Sequence, residues 1–295
     1  MNEEELKYID LLKEIITDGS LKKDRTGVGT YSIFGSRLKF SLENNKMPML
    51  TTKKMFTKGV IEELLFFLRG QTDSKILEAK GVNIWKGNTS REFLDKRGME
   101  GYPEGHMGKG YGFQWRHFGG NFNLDNCYEV AFDDAGVDQV SDVLKTLKSN
   151  PDDRRIIISA WNPSQMHQIA LPPCHMMVQF YVNNGTLSAQ WYQRSVDAFL
   201  GLPFNILSYA LLTRIMAKAA GLEAKELIFV GGDTHVYSNH IDQVKTQLLR
   251  EPFEFPTMQI TKEISTIEDI ENLELNDFKF EGYKSHPSIK ADMAI

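Results

Sequence analysis

Residues 174–182 and 186–195 each have strand character and are separated only by Asn183-Asn184-Gly185. Asn and Gly tolerate the positive φ that a tight hairpin turn demands, so the two runs are predicted to pair as antiparallel strands. Further strands are predicted over residues 29–42, 155–161 and 227–237. Helical spacing of apolar residues marks 3–18, 58–69, 137–149, 204–220 and 238–250. Gly221 is placed to stop the long apolar helix that precedes it. Strands and helices interleave without a regular βαβ rhythm, so the fold class expected is α+β: a large mixed sheet packed by helices rather than a doubly wound sheet. No linker, repeat or low-complexity run divides the 295 residues, so a single domain is expected over 1–295. Residues 70–136, rich in Gly, Asn and Asp, read as a loop-rich insertion lining a cleft.

At 41% hydrophobic and 25% charged, the chain has enough apolar material for a full core. A formal net charge of -5 argues against broad contact with nucleic acid or membrane surfaces, which need a basic field. The first twenty residues are acidic and amphipathic, unlike a signal peptide, and no run approaches the ~20 apolar residues that span a bilayer. Two cysteines, Cys127 and Cys174, are too few for a disulfide framework or a zinc site, so a reducing cytoplasmic location is expected.

Cys174 lies in Leu171-Pro172-Pro173-Cys174-His175, where two prolines fix its approach just before a strand. Free cysteine is often only a packing residue. The arginine supply favours chemistry, because Asp153-Arg154-Arg155 and Gln193-Arg194-Ser195 fall on predicted neighbouring strands, and nearby cations stabilise a thiolate. Clustered arginines also bind phosphate through paired hydrogen bonds, and Arg25 on a glycine turn adds a candidate. For any one of them, a surface ion pair with a neighbouring aspartate is the plainer alternative. On the 58–69 helix, Val60, Leu64, Phe67 and Leu68 form an apolar stripe that contains Glu63, whereas Glu62 points away. A carboxyl inside such a stripe should have a raised pKa, suited to a general acid or base. Asp233, His235 and Tyr237 alternate along a strand and so share one face. His175, His235 and His240 lack metal-ligand spacing, and no metal is expected.

Taken together, DRTGVGT, EELLFFLRG, YGFQWRHFG, NPDDRRIIISAWNP, LPPCH, QRSVDAFLGLPFNILSYALL, GGDTHVYSNH, EGYKSHPSIK and the terminal MAI resemble the thymidylate synthase family, from about Tyr8 to Ile295. The resemblance implies a homodimer joined through the sheet. It also implies conversion of dUMP to dTMP with 5,10-methylenetetrahydrofolate as donor of carbon and hydride. Cys174 would add to carbon 6 of uracil and make carbon 5 enolate-like. Asn205 would contact O4 and N3, and an amide there matches uracil rather than cytosine. Arg25, Arg194 and Ser195, with the neighbouring Gln193, would hold the nucleotide phosphate. Arg154 and Arg155 would complete the same site from the partner subunit. His235 and Tyr237 would bond the sugar hydroxyl, and Tyr111 and His175 would order water beside the ring. The folate would meet Asp197, Ile84, Trp85, Leu200 and Phe204, with Lys53 towards its glutamate tail. Met293-Ala294-Ile295 would close over it.

Two positions depart from the family's usual pattern, Lys86 after Trp85 where aspartate is common and Thr57 where tryptophan or another larger residue is frequent, and Val196 sits at a position that varies in the family. Lys86 reverses a charge at the edge of the expected folate site. The rival readings are a dUMP hydroxymethylase on the same scaffold, in which water captures the methylene, and an inactive RNA-binding relative. A cysteine hydrolase using Cys174 and His175 is disfavoured, because adjacent strand residues face opposite ways.

Overall fold

The computed structural model describes residues 2–292 except 25, 124, 125, 127, 132 and 133. In chain order the elements are α1 (Glu3–Asp18), β1 (Ser20–Lys22), β2 (Thr30–Ser41), α2 (Thr57–Leu68), α3 (Lys75–Ala79), α4 (Arg91–Lys96), α5 (Gly112–His117) and α6 (Gln139–Ser149). There follow β3 (Ile157–Ser159), β4 (His175–Asn183), β5 (Thr186–Asp197), α7 (Gly201–Ala220), β6 (Glu223–Tyr237), α8 (Ile241–Leu248), β7 (Thr257–Ile260), α9 (Ile267–Glu271) and β8 (Phe278–Glu281). The expected α+β class is what forms. Six strands make one sheet in the order β1-β2-β6-β5-β4-β3, parallel only between β5 and β6, where α7 supplies the crossover.

The hairpin forms where its turn residues demand it: Asn184 and Gly185 take φ of 49° and 75°. Val178, Phe180, Leu187, Ala189 and Trp191 point to the buried side of β4 and β5, where α7 packs. Gly221 ends α7 in the left-handed conformation, with its N–H on the carbonyls of Ala217 and Lys218. The helix begins at Gly201, ahead of the predicted start. Pro203 therefore falls in the first turn, where its missing N–H costs nothing. On the opposite face, half-buried Tyr192, Ile228 and Val230 and the exposed Tyr181 alternate with those core residues.

One expectation needs correction. The predicted strand over 155–161 shrinks to Ile157–Ser159, and Arg154 and Arg155 lie in the turn before it. They are not on a strand next to that of Arg194, because β4 separates β3 from β5. Glu62, which points away from the stripe, is buried on the other side of α2. It is 7% exposed and paired with Lys80 Nζ at 2.6 Å, because α3 and the turn after it cover that side of α2.

Candidate active site

The start of β4 and the ends of β5 and β6 gather at one edge of the sheet. His175 is in register with Gln193, Ser195 with Asp233, and Asp197 with His235. Cys174 stands immediately before β4, with its carbonyl accepting the Arg194 N–H at 2.9 Å. The Arg194 guanidinium clamps the turn beneath it. Its Nε donates to Pro173 O and its Nη2 to Pro172 O, each at 2.9 Å. The two prolines lock φ through the turn, and Arg194 satisfies both of their carbonyls. Nη2 also stands 4.0 Å from Cys174 Sγ, so a negative charge on the sulfur would be stabilised there. Trp161 supports the guanidinium from below, its ring centre 5.4 Å away.

The opposite wall is aromatic. The Tyr111 hydroxyl accepts the Cys174 N–H at 2.9 Å. Its ring stacks on Phe67 at 5.0 Å, meets Trp85 edge-on at 5.6 Å, and lies 4.4 Å from the His175 ring. Tyr111 has φ of 32°, a conformation that costs a bulky residue roughly 1–3 kcal/mol and persists because these rings fix the side chain. Burial also pushes its hydroxyl pKa well above the ordinary value, and the nearby Cys174 adds to the shift, so it stays protonated.

Glu63 reaches the same wall from α2. Trp85 Nε1–H donates to Glu63 Oε1 at 2.7 Å. Burial among these aromatics raises the carboxyl to about 7, although that hydrogen bond pulls the other way. Glu62, one residue earlier, is neutralised by Lys80 instead, so adjacent glutamates do have different environments. His175 is pushed down to about 3 by burial and is neutral at ordinary pH. Its Nδ1 pairs with the Tyr209 hydroxyl at 2.9 Å, and burial raises Tyr209 in turn. Tyr209 was not singled out from sequence, yet it lies one helical turn after Asn205, and that spacing was the available signal.

The remaining candidates divide by place. Asp233, His235 and Tyr237 share a face of β6, as expected: His235 Nδ1 pairs with Asp233 Oδ1 at 3.1 Å and its ring meets Tyr237 edge-on at 5.3 Å. Asp233 is itself held by Lys22 at 3.0 Å and Ser32 at 2.7 Å. Gln193 is buried, with its amide on the Ser195 carbonyl at 3.1 Å. Asn205, Leu200 and Phe204 are half-buried around the start of α7. Asp197 Oδ1 accepts the N–H groups of Phe199 and Leu200 at 3.0 and 2.9 Å, which orients that start. Ile84 is half-buried beside the buried Trp85. Lys53 is turned inward: its ammonium bonds the Phe199 carbonyl, sits 3.9 Å from that ring's centre, and is pushed down to about 8 by burial against the pull of Asp197. A ligand's glutamate tail would meet it only if the side chain swung outward.

Arg154 and Arg155 are exposed, and Arg155 forks onto Asp153 at 2.9 Å through both Nε and Nη2. The plainer ion-pair reading thus holds for Arg155 within one chain. Arg25 and Ala294, with Met293, Ile295 and Cys127, lie outside the described residues. Among the described residues, no group of three His, Cys, Asp or Glu is placed to hold a metal ion, and no helix is long and apolar enough to cross a membrane.

A mixed sheet carrying at one edge a clamped thiol, a phenol and a carboxyl near neutrality defines an α+β protein with a thiol-centred pocket. Residues 6–295 match the family described as Thymidylate synthase. The chain is 49% identical over 291 residues to the human protein named thymidylate synthase, covering 99% of this chain and 91% of that one. It is 50% identical over 297 residues to the thymidylate synthase of Ascaris suum, covering 100% and 98%. It is also 50% identical over 296 residues to a bifunctional dihydrofolate reductase-thymidylate synthase of Leishmania major, of which it spans 56%. The chain belongs to the thymidylate synthase family.

Proposed function

We propose that this protein is a thymidylate synthase, converting dUMP to dTMP. The observation that carries the reading is the Cys174 clamp, in which a guanidinium 4.0 Å from the sulfur and a phenol on the backbone N–H hold a nucleophile in one place. Cys174 attacks carbon 6 of the pyrimidine, and negative charge moves towards O4. Asn205, whose amide has no side-chain hydrogen bond among the described residues, donates to O4 and accepts from N3–H. A mismatched pyrimidine leaves that amide unpaired, at about 1–3 kcal/mol, which selects uracil over cytosine. Arg25, Arg194, Gln193 and Ser195 bind the phosphate, and His235 and Tyr237 the sugar. Glu63, poised near neutrality, passes protons through water, with Tyr111 and neutral His175 ordering that water.

Half-buried Ile84, Leu200 and Phe204 and the buried Trp85 suit a flat, partly apolar ring, and the Asp197 carboxylate suits its N–H edge. These residues fit methylenetetrahydrofolate, which when bound supplies the one-carbon unit and the hydride. Lys53 and Ala294 complete that side. We further infer one domain over 1–295, with the loop-rich stretch at 70–136 forming a wall of the cleft through Trp85 and Tyr111. We infer a homodimer formed through the open sheet face of Tyr181, Tyr192, Ile228 and Val230, which would bring the exposed Arg154 and Arg155 to a partner's phosphate site.

The test is incubation with 5-fluoro-dUMP and methylenetetrahydrofolate, followed by peptide mass analysis. An adduct on the Cys174 peptide, absent in Cys174→Ser, supports the reading, and an unlabelled Cys174 overturns it. Product analysis with dUMP separates the hydroxymethylase: dTMP with dihydrofolate is expected, and 5-hydroxymethyl-dUMP with tetrahydrofolate would overturn the methylating assignment.

A further inference from the structure

A cavity of about 770 Å³ opens at the other end of the same elements that carry the thiol site. Thr186 at the start of β5, Glu223 at the start of β6 and Arg214, Ala217 and Lys218 near the end of α7 line it. None of the candidate active-site residues does. Its size is that of a small-molecule site.

The wall is built around an uncompensated charge. Arg214 is 9% exposed, and among the described residues its hydrogen bonds go to neutral oxygens: Asn45 Oδ1 at 3.2 Å, Lys46 O at 2.7 Å and Leu42 O. Its Nε is buried and has no hydrogen-bond partner among the described residues. Its hydrogen-bond partners among the described residues include no carboxylate, although buried charges are ordinarily paired. Burial lowers its pKa only to about 10, so the cation persists at neutral pH. Asn45, which bonds it, is held at φ of 60°, next to Asn44 at 55°, so a strained turn fixes the guanidinium in place. Lys225 adds positive charge along the lining, Lys218 is paired with Glu263 at 3.0 Å, and Glu43 and Glu223 offset part of the charge. Leu222, Met258 and Ile260 provide apolar surface.

We propose that this cavity binds a small organic carboxylate, its anionic group towards Arg214 and Lys225 and its apolar body against Leu222, Met258 and Ile260. The carboxylate supplies the counter-charge that Arg214 lacks among the described residues, and the apolar body distinguishes the ligand from a bare inorganic anion.

The experiment uses 4-bromobenzoate, located in crystals by the anomalous signal of bromine and titrated calorimetrically in solution with saturating dUMP present. Bromine between Arg214 and Met258 is expected. Arg214→Met should weaken binding by more than about tenfold, the loss of a charge-assisted contact. Because Arg214 also ties down the Leu42–Lys46 turn, Lys225→Glu serves as a second variant that leaves those bonds intact, and it too should weaken binding. Bromine found only elsewhere, affinity unchanged in Lys225→Glu, or inorganic phosphate binding as tightly as 4-bromobenzoate would each overturn the proposal.

Discussion

Glu63→Gln should make the protein more stable at alkaline pH while removing its activity. The Glu63 carboxyl is raised from 4.5 to about 7, chiefly by burial. A carboxyl whose folded pKa lies above its unfolded value binds more protons when folded, so it weakens the fold as pH rises between those values. Below about pH 4.5 both states are protonated and the group costs nothing. Above about pH 7 both are ionised, and the folded state bears the full penalty of about 3 kcal/mol, from a shift of about 2.5 units. Glutamine mimics the neutral form and still accepts the Trp85 N–H through Oε1. Urea melts at pH 5 and pH 8 are the assay. The stability of Glu63→Gln relative to the unsubstituted protein should rise by about 2.5 kcal/mol between them. Parallel pH profiles for the two proteins would refute the claim that Glu63 is desolvated in the pocket. Loss of dTMP formation at both pH values would separately support its role in proton transfer.

Three further substitutions follow from the geometry. Tyr111→Phe strands the Cys174 N–H, at about 1–3 kcal/mol, so adduct formation with 5-fluoro-dUMP should slow by about tenfold or more with the fold intact by circular dichroism. An unchanged rate would mean that the phenol does not position the thiol. Arg194→Lys cannot fork onto Pro172 and Pro173 together, so kcat should fall by more than about tenfold and KM for dUMP should rise, read by steady-state kinetics. Glu5→Ala leaves the N–H and hydroxyl groups of Thr51 and Thr52 without the buried carboxylate they share, and Tm should drop by roughly 6–12 °C in calorimetry.

What the sequence made legible was set by local periodicity. The strand pairing around Asn183-Asn184-Gly185 and the apolar stripe of α2 are short-range patterns, and both gave their elements to within a few residues. The special environment of Glu63 could be read because its place in the apolar stripe is a property of its own helix, although the Trp85 that covers it comes from elsewhere in the chain. Glu62 could not, because the group that neutralises it, Lys80, lies eighteen positions along the chain in a different element. The same limit explains Arg154 and Arg155: the length of β3 depends on pairing with β4, and an isolated apolar run does not show where that pairing ends. The small sheet of β7 and β8 left no readable pattern, because its strands are four residues each and separated by α9. Tyr111's positive φ is a tertiary property, forced by the rings around it.

The pocket's electrostatics follow from one asymmetry of burial. Desolvation disfavours charge on whichever group it covers, so it raises Glu63, Tyr111 and Tyr209 and lowers His175, and every shift leads towards the neutral form. Arg194 sets a guanidinium 4.0 Å from the sulfur, beside these neutral groups. Near the sulfur the described side chains therefore present one fixed cation and several neutral hydrogen-bonding groups, with Glu63 close to its midpoint. In a low-dielectric site this arrangement favours an anion created during reaction over one already present, because little standing charge must reorganise when it appears. A pocket lined with ionised carboxylates would repel both a nucleotide phosphate and an enolate. Burying Glu63 against Trp85 avoids that repulsion while keeping a proton within reach.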